Sequence, residues 1–234
     1  MIIDFKNVTI SRNGILALAD VSFTFDAEKM PSVAILGANG AGKSTLLEAI
    51  PGLRLLSGGE VTVNGLTVEK RNLTAIRKQV GLIFQNSDDQ LFSQTVREDV
   101  AFGPMNLGLD AEEVESRTTD ALERMGVTTL AARNVASLSG GEKRRVALAG
   151  ILAMRPAVVL MDEPTSMLDP RGCRELAEYL NTLDQMKIIA THDLHFARQT
   201  CPISLILRDG RIHTVGNTEE ILRDTEMLCE CGLM

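Results

Sequence analysis

The sequence has no apolar run long enough to cross a membrane. Its longest apolar stretches, such as residues 146–154, are far shorter than the roughly 20 residues that a transmembrane helix needs. The opening residues MIIDFKNVTI also lack the basic start and the apolar middle of a signal peptide. We therefore expect the chain to stay in the cytoplasm and not to cross a membrane by itself.

Cysteine is scarce. The chain contains four cysteines, of which Cys173 and Cys201 are isolated and Cys229 and Cys231 form a C-x-C pair. So few cysteines are typical of a protein from a reducing compartment. The C-x-C pair has no second ligand pair at the spacing of a zinc site. It is interpreted either as half of a metal site or as two thiols of a C-terminal segment.

Positive charge is in the minority. Lysine and arginine total 24 against 31 aspartates and glutamates, which gives a formal net charge of −7 at pH 7. Proteins that bind nucleic acid generally hold the phosphate backbone with clustered lysines and arginines. The charge balance therefore argues against nucleic acid as a partner. With 44% hydrophobic and 24% charged residues, the composition is that of a folded, water-soluble protein.

Short apolar segments alternate with helical patterns, which is typical of an α/β fold. Several of these segments are apolar throughout, as expected for strands of a mainly parallel sheet that is covered on both faces. The predicted core strands are SVAIL (32–36), VGLIF (80–84), AVVLM (157–161), KIIAT (187–191) and ISLIL (203–207).

Two further patterns interrupt the parallel sheet. Asn64-Gly65 and Asp209-Gly210 each stand between short extended segments and predict hairpins, hence some antiparallel structure. Residues 93–137 have a helical character, with a helix that Asp110 caps, together with Glu113 in a capping-box-like pair. The sequence therefore predicts a small helical subdomain inserted into the α/β core.

The stretch GANGAGKS matches the phosphate-binding loop G-x-x-x-x-G-K-[ST], and it lies after a predicted strand and at the start of a predicted helix. Glycines let backbone N–H groups close around phosphate oxygens, and the helix N-terminus adds partial positive charge. Lys43 supplies a point charge for the β- and γ-phosphates, and Ser44 a ligand for magnesium. The predicted nucleotide-binding residues are Gly37, Ala38, Asn39, Gly40, Ala41, Gly42, Lys43, Ser44, Thr45 and Gln85.

Four polar residues follow predicted strands, at the sheet edge where ligands bind in open α/β folds. Asp162 is suited to hold magnesium, and Glu163 to orient or deprotonate an attacking water. Adjacent acids are often only a solvated loop, but these follow a buried strand. His192 is placed to reach a γ-phosphate, and Gln85 to touch magnesium or water without adding charge. His195 and His213 are interpreted as structural.

The stretch LSGGEKRRVALAG places Ser139, Gly140 and Gly141 before three basic residues and an apolar run. Cations at a helix N-terminus are normally unfavourable, but an anion bound there reverses that preference. The stretch therefore predicts a second phosphate-binding helix start, with residues 143–145 raising the local potential. One nucleotide uses both loops only if they approach it from opposite sides, as they would in two facing copies of the chain.

Together these motifs resemble the nucleotide-binding subunits of ATP-binding cassette (ABC) transporters over essentially the whole chain. The shared features are the phosphate loop, Gln85, LSGGE, VVLMDEPT, SMLD and His192, in the family's order and spacing. Within this family, two stretches are most similar to the energy-coupling factor group, and within that group to cobalt or nickel importers. They are FQNSDDQLFSQTVREDVAFGPMNLGL and LSGGEKRRVALAGILAM.

This resemblance implies a fold and an activity. The expected fold is an α/β P-loop NTPase core with an antiparallel β part and a helical subdomain, as one domain over residues 1–234 with the helical insert at about 93–150. The expected activity is ATP hydrolysis coupled to transport, with Mg-ATP as the cofactor. Glu163 and His192 would be catalytic. Ser44, Gln85 and Asp162 would hold the magnesium.

The resemblance also implies partners. Ser139, Gly140, Gly141 and Glu142 would bind the ATP of an opposing ATPase subunit, and Asp169 would lie at the dimer interface. The intact motifs permit a homodimer. Residues 85–102 would form a groove for integral membrane subunits, which places the chain peripherally at the cytoplasmic face of the cell membrane.

Two departures from the family pattern bear on the site. Glu142 stands where glutamine is commoner and adds negative charge near a phosphate, unless it points away. The aromatic residue that usually stacks on adenine near position 11 is missing from TISRNG.

Alternatives remain for cargo and function. Biotin or another vitamin is an alternative cargo. A soluble ABC ATPase of DNA repair or translation and a nucleotide kinase are the alternative functions.

Overall fold

The computed structural model of the chain describes residues 1–12 and 14–234, and of Arg12 only the backbone. Ten strands form two sheets within this part. The first sheet is antiparallel, in the order β2-β1-β4-β5. Its strands are β1 (Ile2–Arg12), β2 (Ile15–Asp26), β4 (Gly58–Val63) and β5 (Leu66–Thr67).

The second sheet has the order β10-β9-β3-β8-β7-β6, and all of its neighbours are parallel except the hairpin of β9 and β10. Its strands are β3 (Ser32–Leu36), β6 (Val80–Ile83), β7 (Val158–Asp162), β8 (Met186–Thr191), β9 (Ile203–Arg208) and β10 (Arg211–Asn217). The prediction of a mainly parallel α/β sheet with antiparallel additions is confirmed. The long strands β1 and β2 were not predicted.

Nine α-helices connect and cover the sheets in the described residues. They are α1 (Lys43–Ala49), α2 (Leu73–Arg77), α3 (Val96–Asn106), α4 (Ala111–Arg124), α5 (Gly140–Ala153), α6 (Pro170–Asn181), α7 (Leu194–Thr200), α8 (Thr218–Ile221) and α9 (Thr225–Glu230). None of the described helices is both long enough and apolar enough to cross a membrane.

The central strand β3 explains why its sequence is apolar throughout. Val33 and Ile35 belong to a core cluster that the antiparallel sheet and α1 share, whereas Ala34 and Leu36 belong to a second cluster. The second cluster includes side chains from α5, α6 and α7. Because successive side chains of a strand point to opposite faces, a sheet between two cores needs apolar residues at every position.

Helices α3 and α4 lie within the range of about 93–150 that was predicted for a helical subdomain, and α5 begins within it and runs on to Ala153. The three helices pack against one another. The boundaries of that subdomain stay a prediction. Asp110 caps α4 as expected, since its carboxylate accepts a hydrogen bond from the Glu113 N–H at 2.9 Å. Glu113 does not complete the pair, because its carboxylate accepts from Arg117 at 2.6 Å instead.

Candidate nucleotide site

The phosphate loop joins β3 to α1 and passes close to neighbouring backbone. A Cβ atom added to Gly37 would lie 2.4 Å from the carbonyl oxygen of Leu207. One added to Gly42, whose φ is +106°, would lie 2.4 Å from the carbonyl oxygen of Ala17. Only glycine fits at these two positions, so the packing around the loop sets its curvature.

Lys43 begins α1 and its side chain is buried. Its ammonium group donates to the carbonyl oxygens of Gly37 at 2.7 Å and Ala38 at 3.2 Å, and lies 3.9 Å from Glu163 Oε1. Burial lowers the Lys43 pKa, and the charges of Glu163 and Asp162 oppose this effect. The lysine therefore bridges the loop's own carbonyl groups in the structure, and its contact with phosphate oxygens stays a prediction.

Asp162 ends β7 and is buried. Burial raises its pKa, the neighbouring Ser44 hydroxyl lowers it, and the charge of Glu163 raises it further. Among the described residues, its Oδ1 atom has no hydrogen-bond partner. A buried carboxylate oxygen without a partner is unfavourable. A magnesium ion bound by oxygen ligands would satisfy it, so Ser44 and Asp162 fit this ion.

Glu163 follows Asp162 and is held from two sides. Its Oε2 atom accepts a hydrogen bond from the Thr191 hydroxyl at 3.0 Å, and its Oε1 atom lies 2.9 Å from His192 Nδ1. These partners follow from the sheet, because β7 and β8 are parallel neighbours with Asp162 in register with Ala190. The carboxylate is buried while the imidazole side chain is 67% exposed. The pair thus joins an anchored acid to a ring that faces solvent.

Gln85 follows β6 and is exposed. With Glu163 and His192 it lines a cavity of about 330 Å³. The structure therefore brings together three of the predicted side chains, from three neighbouring strand ends. The magnesium contact predicted for Gln85 stays a prediction.

Ser139 caps α5 and Glu142 returns the contact. The Ser139 hydroxyl accepts from the Glu142 N–H at 3.4 Å, and the Glu142 carboxylate accepts from the Ser139 N–H at 2.7 Å. The backbone N–H and the hydroxyl of Ser139 lower the Glu142 pKa. Arg133 lies 3.2 Å from the same carboxylate. Glu142 therefore faces the serine that was predicted to bind a phosphate, rather than pointing away from it.

The two glycines that follow Ser139 pack against the segment that precedes α6. A Cβ atom added to Gly140 would lie 3.4 Å from Met167 Cβ, and one added to Gly141 would lie 3.7 Å from the Met167 carbonyl oxygen. Asp169 caps α6 by accepting from the Gly172 N–H at 2.6 Å. Its predicted place at a dimer interface stays a prediction.

The phosphate loop and the serine–glycine helix start are separate surfaces of the chain. None of the hydrogen bonds or ion pairs of residues 1–12 and 14–234 joins residues 139–142 to residues 37–45. In the described residues, no direct polar contact therefore links the nucleotide-binding loop to this helix start within one chain.

Arg144 was missed as an inward-facing residue. Its position in LSGGEKRR groups it with Lys143 and Arg145 as a predicted source of positive potential at the helix start. In the structure, Lys143 Nζ lies 2.5 Å from Asp88 Oδ1. The Arg144 side chain instead points into the protein and is 1% exposed. Its spacing was the available signal, since Arg144 lies four residues before the buried Leu148 on the same helix face.

The region without an adenine-stacking aromatic is only partly described. The Arg12 side chain and Asn13 lie outside the described residues. Within the described residues, a cavity of about 280 Å³ lies beside Thr45, and its lining includes the aliphatic side chains of Ile10, Leu53 and Leu55.

Comparison with known proteins identifies the family of this site. The ABC transporter family matches residues 18–166. A putative ABC transporter ATP-binding protein of Streptomyces avermitilis is 48% identical over 204 residues, covering 87% of this chain and 78% of the relative. The energy-coupling factor transporter ATP-binding protein EcfA of Methanoculleus marisnigri is 42% identical over 228 residues, covering 96% and 82%.

Solved structures agree with the sequence comparison. CbiO1 from Clostridium perfringens, part of the ABC transporter complex CbiONQ, superposes with a TM-score of 0.83 at 33% identity, covering 99% of this chain and 94% of that one. An ATP-binding cassette solved as a dimer in a post-hydrolysis state with ADP and Pi gives 0.84 at 29% identity, covering 92% and 98%. With its phosphate loop and its paired acids at the end of β7, the chain belongs to the ABC transporter family and is an ABC ATPase.

Proposed function

We propose that this chain is the motor subunit of an energy-coupling factor importer for cobalt or nickel ions, and that it works as a dimer at the cytoplasmic face of the cell membrane. One observation carries the catalytic part of the proposal. Glu163 is held between Thr191 and His192, with the Lys43 ammonium 3.9 Å away. A buried acid beside the phosphate-binding lysine is placed to act on a water that attacks the γ-phosphate.

In the proposed reaction, the water oxygen forms a bond to the γ-phosphorus while Glu163 accepts a proton from the water. The bond from the γ-phosphorus to the β,γ-bridging oxygen breaks, and that oxygen leaves with ADP. Lys43 pairs with the β- and γ-phosphate oxygens. The His192 ring contacts Glu163 from the solvent side and is placed to meet the γ-phosphate.

Ser44 and Asp162 are the proposed magnesium ligands, with Gln85 as a third. The orphaned Asp162 Oδ1 atom supports this assignment. When bound, the ion neutralises the charge that develops on the phosphate oxygens during transfer. Ser44 and Asp162 would hold this ion beside the phosphate loop.

A second copy of the chain completes each site in the proposed dimer. Ser139, Gly140, Gly141 and Glu142 of one copy would bind the ATP that the other copy holds, with Asp169 at the interface. The separation of this helix start from the phosphate loop supports the arrangement. It is also in line with the similarity to a cassette that was solved as a dimer.

Residues 85–102 are the proposed contact with integral membrane subunits. Phe92 and Phe102 form an edge-to-face pair with ring centroids 4.7 Å apart, and they are 65% and 46% exposed. Met105 adds a third exposed apolar side chain. An exposed aromatic pair of this kind is typical of a protein interaction surface.

The cargo assignment depends on the motifs shared with cobalt and nickel importers and on the similarity to CbiO1. Biotin or another vitamin is the alternative cargo for the same motor. The decisive experiment is to purify the tagged chain from its native membranes, identify its partners, and measure ATP-dependent uptake of Co²⁺, Ni²⁺ and biotin in vesicles.

Recovery with a metal-binding membrane subunit and ATP-dependent metal uptake would support the proposal. A vitamin-binding subunit would overturn the cargo and keep the motor. Recovery without any membrane protein would overturn the transport function and favour a soluble ABC ATPase.

A further inference from the structure

Arg144 is bound almost entirely by backbone carbonyl groups. Its Nη2 atom donates to the carbonyl oxygens of Asp162 at 3.0 Å and Glu163 at 2.9 Å, and its Nε atom donates to that of Pro164 at 3.0 Å. Its Nη1 atom donates to the carbonyl oxygens of Phe84 and Gln85. One guanidinium therefore contacts the ends of both β6 and β7.

No carboxylate oxygen lies within 4.0 Å of this guanidinium in the described part of the chain. Burial lowers the Arg144 pKa to about 10, and the charges of Asp162 and Glu163 oppose this effect. The group therefore stays charged at neutral pH. A buried cation is tolerated only when hydrogen bonds satisfy it. The carbonyl oxygens around Arg144 must therefore stay within hydrogen-bond distance of its guanidinium group.

The middle one of the three residues whose carbonyls Arg144 binds, Glu163, has an unusual backbone conformation. Its φ is +45°, which is uncommon for a residue other than glycine. Such a conformation persists only where the surroundings hold it. Arg144 supplies donors on one side, and the Glu163 N–H donates to the Ala190 carbonyl oxygen at 2.8 Å on the other. The same backbone directs the Glu163 carboxylate to Thr191 and His192.

Arg144 is also one turn from the helix start that was predicted to meet the opposing nucleotide. It belongs to α5, which Ser139 caps. Two other contacts join this helix to the segment after β6. Lys143 pairs with Asp88, and the Gln90 amide donates to the Ala147 carbonyl oxygen at 3.1 Å. The helix start, the Gln85 segment and the Glu163 backbone are thus connected through one side chain.

We propose that Arg144 is a positioning residue that holds the Glu163 backbone in its productive conformation and couples it to the helix start at Ser139. This inference rests on the proposed hydrolytic role of Glu163. Through Arg144, the ATP on the chain's own loop and the ATP at the Ser139 surface would then both contact one connected unit, which consists of the helix start, the Gln85 segment and the Glu163 backbone. Arg144 itself touches neither nucleotide.

The test compares Arg144→Met and Arg144→Lys with the wild-type chain, each purified with its partners. Arg124→Met is the matched control, because it removes an arginine that is paired with Asp120 on the surface of α4. The readouts are kcat, KM, ATP binding by the isolated chain, and amide hydrogen exchange. Arg144→Lys keeps the charge with fewer donors, and it keeps the proposal testable if the methionine variant does not fold.

For Arg144→Met we expect kcat to fall about 100-fold or more, within the range lost when a general base is misplaced. We expect KM and ATP affinity to change less than about threefold, because Arg144 makes no bond to the phosphate loop. Arg144→Lys should lie between, and Arg124→Met should match the wild type. Exchange should quicken at amides of residues 84–86 and 163–166 and stay unchanged at residues 37–46.

An unchanged kcat in a folded Arg144→Met chain would overturn the inference. The inference would also be overturned if amide exchange rose evenly over the whole chain while kcat and ATP binding fell in proportion. That result would mean that the substitution lowers the stability of the whole fold. A wild-type chain without ATPase activity would instead overturn the proposed function. The exchange pattern of the variants would then still decide whether Arg144 holds the Glu163 segment.

Discussion

The Glu142 carboxylate accepts two hydrogen bonds from Ser139, one from the backbone N–H at 2.7 Å and one from the hydroxyl at 2.8 Å. The serine hydroxyl therefore donates to its own helix rather than outward. If Ser139 binds the γ-phosphate of an opposing ATP, this bond must break first. Glu142 would then set how readily the second half of the site becomes available.

The first prediction is that Glu142→Gln strengthens ATP-dependent dimerisation. Glutamine keeps the size of the side chain and an acceptor for the Ser139 N–H but removes a negative charge close to the incoming phosphate. Half-maximal dimerisation should occur at a several-fold lower ATP concentration. Analytical ultracentrifugation in a Glu163→Gln background measures this without turnover. Equal or weaker dimerisation would contradict the role given to the Glu142 charge.

The same contact has a pH dependence of defined sign. Hydrogen bonds from Ser139 lower the Glu142 pKa, so this contact stabilises the folded chain above the ordinary glutamate pKa. The stabilisation is lost as the pH falls through the lowered folded-state value. We therefore expect dimerisation to be insensitive to Glu142 titration around neutral pH. Urea unfolding of the wild type and Glu142→Gln at several acidic pH values checks where their difference in unfolding free energy changes.

The next prediction concerns Glu163→Gln. An amide cannot accept the water proton, so hydrolysis should fall by a factor of about 10² to 10⁴. ATP should then stabilise a closed dimer that size-exclusion chromatography separates from the monomer. The control is the same variant with ADP, which should stay monomeric. A monomer at saturating Mg-ATP, with the membrane partner present, would count against the proposed dimer in which the two copies share each ATP.

Lys43→Met should weaken ATP binding about 10- to 100-fold, as expected for loss of a charge-assisted hydrogen bond. The variant keeps the length and apolar stem of the lysine. Equilibrium binding of a fluorescent ATP analogue and its displacement by ATP measure the change. Lys29→Met, which removes a surface lysine paired with Asp26, is the control. Wild-type affinity in Lys43→Met would exclude the proposed phosphate contact.

A further prediction tests the membrane contact. Phe92→Ser combined with Phe102→Ser removes the exposed aromatic pair, so we expect loss of co-purification with membrane subunits and ATP binding close to the wild-type level. The control is Val215→Ser, which changes an exposed apolar residue of β10. Membrane-partner recovery that is unaffected by the double substitution would place the contact elsewhere on the chain.

Much of the fold follows from local patterns. Uniformly apolar strands predicted a sheet covered on both faces, and the two Gly-containing turns predicted the hairpins at Asn64 and Asp209. The strands β1 and β2 were not predicted. Their pairing shifts register between residues 5 and 11, so their apolar residues do not alternate regularly along the sequence. Glu113 likewise fits a capping box by spacing, but nearby Arg117 and Arg155 compete for its carboxylate.

By itself, the sequence determined which chemical groups are available and where they lie along the chain. The phosphate loop, the acids after β7 and the serine–glycine helix start are local motifs, and their spacing was enough to identify the family. Only the tertiary structure decided which backbone groups Arg144 meets, and that the backbone of Glu163 is left-handed. Arg144 meets carbonyls about 20 and 60 residues away. Hydrogen bonds between residues so far apart in the sequence depend on how β6, β7 and α5 pack, so a local sequence pattern does not predict them.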